Sequence, residues 1–196
     1  VVSPVPVTLP AHASILTGDY PPRHGVRDNG TYRLTDEHET LAERLKAQGY
    51  ATAAFIGAFV LDRRYGTAQG FDAYHDQFAA APNAPRHHQL NPERRADEVV
   101  NAALAWFDGQ GAAWSANPYF VWVHLYDPHA PYTPPEPYRT RHARNPYDGE
   151  VAWTDHQLGR LLDALRARGA LDRTLVVVVG DHGEGLGDHG ESTHSL

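Results

Sequence analysis

The sequence predicts an α/β fold, an α/β/α sandwich around a mostly parallel central sheet. Three observations carry that expectation. Strand-like segments alternate with segments of helical periodicity, the order that gives a parallel sheet with helices on both faces. Residues 174–179 form a continuous apolar run, the pattern of a strand buried on both faces. No repeat and no linker divides the 196 residues, a length suited to one domain or a large part of one.

Residues 1–10 alternate Val with Pro and small side chains and read as extended chain, since proline cannot donate to a central ladder. Pro10 opens a short helix over about residues 11–16, which Gly18 ends. Residues 19–34, rich in Gly, Pro, Asp and Asn, form a loop. Thr40 is the expected N-cap of a helix through Gln48, with Leu41 and Leu45 on one face and Gly49 as its stop. Glu43, Arg44 and Lys46 make the wet side of that helix. Residues 50–56 read as a strand, and residues 66–92 as a surface loop that carries His87 and His88. Residues 93–107 are helical, with Val99, Val100, Ala103, Leu104 and Phe107 as the apolar face. Residues 119–125 form a strand of Tyr, Phe, Val and Trp that runs into a proline-dense loop, 127–137. Residues 147–168 are a long helix with Val151, Leu158, Leu161, Leu162 and Leu165 inward. The apolar strand 174–179 comes next and stops at Gly180. Crossovers between parallel strands are right-handed, and ligands sit beyond the carboxyl ends of the strands.

Composition narrows the function classes. With 41% hydrophobic and 21% charged residues the chain is not wholly disordered. No apolar run approaches the roughly 18 residues of a membrane span, and no basic-then-apolar leader is visible. There is no cysteine, which excludes disulfides and thiolate metal sites. There is also no methionine, position 1 included, which predicts a piece of a longer chain. Seventeen Lys and Arg against 24 Asp and Glu give a net charge of −7, so no nucleic-acid surface is expected. The 13 histidines point to metal binding, acid/base work or pH response, and their positions must decide which.

Three clusters fall just past predicted strands or before a helix. Asp181-His182, leaving the apolar strand, offer one carboxylate oxygen and one imidazole nitrogen to a divalent cation; the alternative is a turn cap beside an exposed loop histidine. Glu184, Asp188, His189 and His194 lie just beyond. The Thr8 hydroxyl lies just ahead of a helix, where unpaired N–H groups and the positive dipole end stabilise an alkoxide or bind phosphate or sulfate. The alternative there is an N-cap or a strand residue. His129 sits in a loop stiffened by Pro128 and Pro131, placed either to meet an anion or protonate a leaving group, or simply to pack. Asp127 and His129 together are candidates for a second metal position.

Together these segments resemble the sulfatase family of the alkaline phosphatase superfamily. Thr8-Leu-Pro-Ala-His-Ala-Ser-Ile-Leu-Thr-Gly18 is similar to the family's nucleophile segment, which reads Cys or Ser, any residue, Pro, any residue, Arg, then a helix ending in Thr-Gly. Residues 20–25 (YPPRHG), the helix-to-strand step 40–55, Asp127-Pro-His-Ala-Pro-Tyr132 and Val179-Gly-Asp-His-Gly-Glu184 fit the family's later segments, in order, along nearly the whole chain. The resemblance implies an alkaline phosphatase-like sheet and a divalent cation (Zn, Mn, Ca or Mg), with Thr8 at the nucleophile position as both attacking group and metal ligand. Asp181 and His182 fall at the late metal pair. His129 falls at the histidine that contacts the anionic group or assists the leaving group. His194 lies near a lysine that contacts the ester, and His12 and Asn29 fall where substrate is met. It also implies that the domain's first strand, with further metal-ligating aspartates, precedes Val1 and that its C-terminal part comes after Leu196, so that residues 1–196 are a partial catalytic domain. Many relatives act outside the cytoplasm, so the resemblance favours an extracytoplasmic location and allows membrane anchoring outside this segment.

The departures are chemical. Sulfatases convert Cys or Ser to formylglycine, and the extra methyl of Thr8 blocks that route. His12 replaces the arginine that supports formylglycine, and Ala58 stands where many sulfatases carry a lysine. A threonine nucleophile resembles the nucleotide pyrophosphatase/phosphodiesterase branch and implies attack on a small-molecule or polymer-linked phosphate ester. The competing expectations are a sulfuric ester hydrolase without formylglycine and an inactive anion-binding domain of the same fold.

Overall fold

The computed structural model describes residues 2–78, 93–111, 117–191 and 193–194. His87 and His88 lie outside the described residues. Strand β1 (Ala51–Ile56) lies between β2 (Ala73–His75) and β3 (Tyr119–His124), and both pairings are parallel. The register sets Ala53 beside Ala73 and Val121, and Ile56 beside His124. All three strands therefore end at one edge.

Alternation along β1 divides the core into two layers. Ala54 and Ile56 pack with Leu9, Val26, Leu34, Leu61 and Tyr74 on one face. Ala53 and Phe55 pack with Val99, Val100, Ala103, Phe107, Leu161 and Leu165 on the other. Helix α1 (Thr8–Thr17) supplies the first layer; α4 (Ala96–Gly109) and α6 (Pro146–Ala167) supply the second. This is the expected α/β/α sandwich.

Local chemistry sets the ends of these elements. α1 begins three residues before the expected start, because Val7 takes the extended N-cap conformation; Gly18 ends it at φ 75. Within the expected loop 19–34, Pro21 starts a one-turn helix, α2 (Pro21–His24). α3 (Leu41–Ala47) carries a capping box in which the Thr40 hydroxyl accepts from Glu43 N–H and the Glu43 carboxylate accepts from Thr40 N–H. α5 (Tyr138–Arg141) is a single turn ahead of α6. Between β1 and β2 the chain turns at Gly66, φ 86, where an added Cβ would stand 2.0 Å from the Leu34 carbonyl oxygen.

Beyond strand β2, which forms inside the expected surface loop 66–92 by pairing with β1 and burying Tyr74, two expectations are corrected. Thr174 is extended, but among the described residues 174–179 join no ladder, and Leu175 and Val177 are 89% and 74% exposed. A continuous apolar run encodes two faces that favour burial; it does not encode the neighbouring strand whose N–H and C=O groups must complete the pairing. The second correction is a register. The buried line of α6 is Glu150, Gln157, Leu161 and Leu165, while Val151 is 43% exposed. Leucine-rich spacing at the C-terminal half leaves the N-terminal phase open, because there the buried positions are polar.

Candidate active site

Thr8 is the first residue of α1 and is 5% exposed. Val7 occupies the N-cap, so the Thr8 hydroxyl is not spent on capping. The helix end is less open than its sequence suggests. Asn29 Oδ1 accepts Leu9 N–H at 2.8 Å, Pro10 has no N–H, and Ala11 N–H donates to Val7 O at 3.0 Å. What reaches Thr8 is chiefly the positive end of the helix dipole. Asn29 thus acts through its carbonyl oxygen as the missing cap of α1.

His12 lies one turn beyond Thr8 on α1. Its Nδ1 donates to Thr8 O at 2.8 Å and stands 3.6 Å from Asp181 Oδ2. Burial holds this imidazole below its ordinary value, against the opposing pull of Asp181 and the Thr8 carbonyl and with help from His182. The neutral ring therefore faces the helix with its proton rather than offering it outward. At the end of β3, His124 Nδ1 accepts Gly57 N–H at 3.3 Å, and its ring stands edge-on to His12 at 4.8 Å. Burial, then His12 and His182, keep His124 well below the usual imidazole range.

Past residues 174–179, Asp181 and His182 reach the same place. His182 Nδ1 donates to Gly183 O at 3.0 Å, which leaves Nε2 as the free acceptor. That nitrogen is 3.4 Å from Thr8 Oγ1 and 3.4 Å from Asp181 Oδ2. Two donors on one divalent cation at ~2.1 Å, in a tetrahedral arrangement, stand about 3.4 Å apart. The spacings and the oxygen/imidazole chemistry therefore fit a cation held by Thr8, Asp181 and His182. No group of three or more His, Cys, Asp or Glu side chains suited to a metal occurs among the described residues; the candidate donors are the Thr8 hydroxyl and the pair Asp181 and His182.

The opposite wall is histidine-rich. His194 Nδ1 donates to Glu184 Oε1 at 3.0 Å, which fixes the ring and leaves Nε2 free. Its ring lies 4.4 Å from that of His182 and 5.3 Å from that of His129. His129 stacks on Tyr126 at 4.2 Å, and its Nδ1 donates to Ala130 O at 2.8 Å. Burial, with His194 second, holds His129 below the ordinary imidazole value. Asp127 is not turned toward a second metal position. Its Oδ2 accepts Ala96 N–H at 2.8 Å, at the first turn of α4.

Residues 8, 12, 129, 181, 182 and 194 are thus brought to one edge of the sheet through a connected series of contacts. Sequence reasoning missed His124, the Glu184–His194 pair and Glu150. His124 has a signal in hindsight, since it ends a strand at the ligand edge. Glu150 has one too: it lies 7, 11 and 15 residues before Gln157, Leu161 and Leu165, on their helical face.

The chain is similar to known proteins along its whole length. The Sulfatase family model matches residues 1–196. An ulvan-active sulfatase of Formosa agariphila is 30% identical over 227 residues, covering 95% of this chain and 43% of that protein. Human arylsulfatase A is 24% identical over 222 residues, covering 92% of this chain and 43% of its own length. The crystal structure of the phosphonate monoester hydrolase of Agrobacterium radiobacter shares the fold, with a TM-score of 0.73, 21% identity, and coverage of 98% of this chain and 56% of that one. The chain spans less than half the length of the curated relatives. By the match over its full length and by its similarity to the Formosa protein, this chain belongs to the sulfatase family.

Proposed function

We propose that the protein containing this chain is a metal-dependent hydrolase or transferase of phosphate esters, with Thr8 as its nucleophile. The observation that carries this reading is the placement of the Thr8 hydroxyl at the start of α1, uncapped and 3.4 Å from His182 Nε2. A secondary alcohol cannot become formylglycine, which supports attack by the hydroxyl itself.

Thr8, Asp181 and His182 would hold the divalent cation, whose charge when bound favours the ionised form of the Thr8 hydroxyl. Thr8 Oγ1 gives its proton to water and attacks phosphorus in line; a threonine–phosphorus bond forms as the bond to the leaving oxygen breaks. The positive end of the helix dipole stabilises negative charge building on the phosphoryl oxygens. His12 holds the Thr8 carbonyl and so fixes the first turn. The Asn29 amide N–H group meets one ester oxygen, and His194, its Nδ1–H held by Glu184, meets another when its Nε2 also carries a proton. His129 is neutral in the free protein, takes up a proton as the anionic ester raises its basicity, and gives it to the leaving oxygen. Water, or an acceptor alcohol, then gives a proton to the neutral His129 and attacks phosphorus; the Oγ1–phosphorus bond breaks and Thr8 Oγ1 regains its proton from water.

A sulfuric ester substrate is the second reading, favoured by the similarity to two proteins named sulfatases. Turnover of p-nitrophenyl phosphate, bis(p-nitrophenyl) phosphate and p-nitrophenyl sulfate by the full-length protein separates them. Metal-dependent phosphoester turnover that falls by about 10³-fold or more in Thr8→Ala is expected. Wild-type turnover in Thr8→Ala would refute the nucleophile, turnover of sulfate alone would replace the substrate class, and metal binding without turnover would support an inactive anion-binding domain.

A further inference from the structure

The loop that carries His129 is held from beneath by one face of α6. Glu150 is 3% exposed. Its Oε2 accepts His129 N–H at 3.0 Å and its Oε1 accepts Thr133 N–H at 2.6 Å. One turn further along the helix, the Thr154 hydroxyl donates to Asp127 O at 2.9 Å. The two side chains therefore grip the loop at residues 127, 129 and 133. Thr133 leads into Pro134, which packs closely enough on α6 that a Cβ at Gly149 would stand 2.7 Å from its ring. The loop cannot slide along the helix without breaking these bonds.

Burying a carboxyl group costs free energy even when both of its oxygens are hydrogen-bonded, as they are here. Its bonds lie at the peptide of the one loop residue whose ring faces His194. Because the His129 ring also bonds within its own loop, Nδ1 to Ala130 O, the orientation of Nε2 depends on the backbone of residues 129–130. The position of that backbone is what Glu150 sets.

We propose that Glu150 is the positioning residue of the acid–base histidine His129, acting through its backbone clamp on the 129–133 loop. The proposal rests on the leaving-group role assigned to His129 above. In Glu150→Gln one clamp oxygen is replaced by an NH₂ group that faces an N–H donor, so one of the two bonds is lost. Thr154→Val removes only the hydroxyl bond to Asp127.

The test uses the full-length protein with phenyl and p-nitrophenyl esters of whichever acid, phosphate or sulfate, wild type turns over. Phenolate needs protonation on departure far more than nitrophenolate does. Glu150→Gln is expected to lower kcat about 100-fold on the phenyl ester and under about 10-fold on the nitrophenyl ester, with KM changed by less than about 2-fold. Thr154→Val is expected to give the same pattern at about a tenth of the size. Equal losses on both esters, or a change confined to KM, would overturn the positioning role. Imidazole nitrogen NMR reads the clamp independently of turnover: the Nδ1–H form of His129 should lose population in Glu150→Gln. An unchanged His129 tautomer in a folded variant would overturn the proposal even for a protein that turns over neither ester. Full turnover in Thr8→Ala, by contrast, sinks the nucleophile assignment and leaves the leaving-group pattern of Glu150→Gln to be judged by itself.

Discussion

The buried carboxyl of Glu150 makes the fold sensitive to alkali. Burial raises it from an ordinary 4.5 to about 7, against the opposing bonds from Thr133 and His129 N–H and with a smaller contribution from Asp127 and Glu93. The gap of about 2.5 pH units corresponds to about 3 to 4 kcal/mol at ~1.4 kcal/mol per unit. The sign depends on which form the fold prefers. The folded state holds this proton more tightly than the unfolded chain does, so the contribution is fully present below about pH 4.5 and is lost as pH rises through about 7. Buried histidines work the other way: His12, His124 and His129 lie below their unfolded values, so their contribution is lost as pH falls. Raw stability is therefore a mixture, and the variant Glu150→Gln isolates the carboxyl because both proteins keep the histidines. Urea unfolding of the two at about pH 5 and about pH 8 should show the wild-type advantage shrinking by about 2 to 3 kcal/mol across that interval. A difference that stays constant with pH, or that grows, would refute the reasoning.

Two further outcomes come from backbone geometry. Gly66→Ala should destabilise by more than about 2 kcal/mol in thermal or urea unfolding, because the residue sits at φ 86 and the new methyl meets the Leu34 carbonyl; a change within experimental scatter would contradict the close approach. Asn29→Ala should cost about 1 to 2 kcal/mol, since the buried Leu9 N–H loses its acceptor, and should lower turnover because Thr8 shares that helix end; an unchanged urea midpoint would show the cap to be dispensable.

Much of the scaffold was legible because local rules decided it. Thr40 with Glu43 spells a capping box, Gly18 an αL stop, and the spacing of Val99, Val100, Ala103 and Phe107 one buried face. Other features were not. The sequence marks Glu150 as a charge and Val151 as a core residue, and the structure reverses them, because the loop's orphan N–H groups require an acceptor under them. Asp127, with His129 a candidate for a second metal position whose spacing leaves the matter open, accepts the Ala96 N–H at the first turn of α4, a use visible only when residue 96 is beside it.

The sequence by itself determined the alternation of strands and helices, the helix ends and the segments that carry chemistry, since these depend on neighbours within a few positions along the chain. Tertiary structure decided which of those segments meet. Thr8 and His182 are 174 residues apart in the chain and 3.4 Å apart in space. The tautomers of His12, His129, His182 and His194 were decided there too, by the carbonyl or carboxylate that each Nδ1 reaches. A residue's type limits what it can donate or accept; only its folded surroundings select the atom that is left free to react.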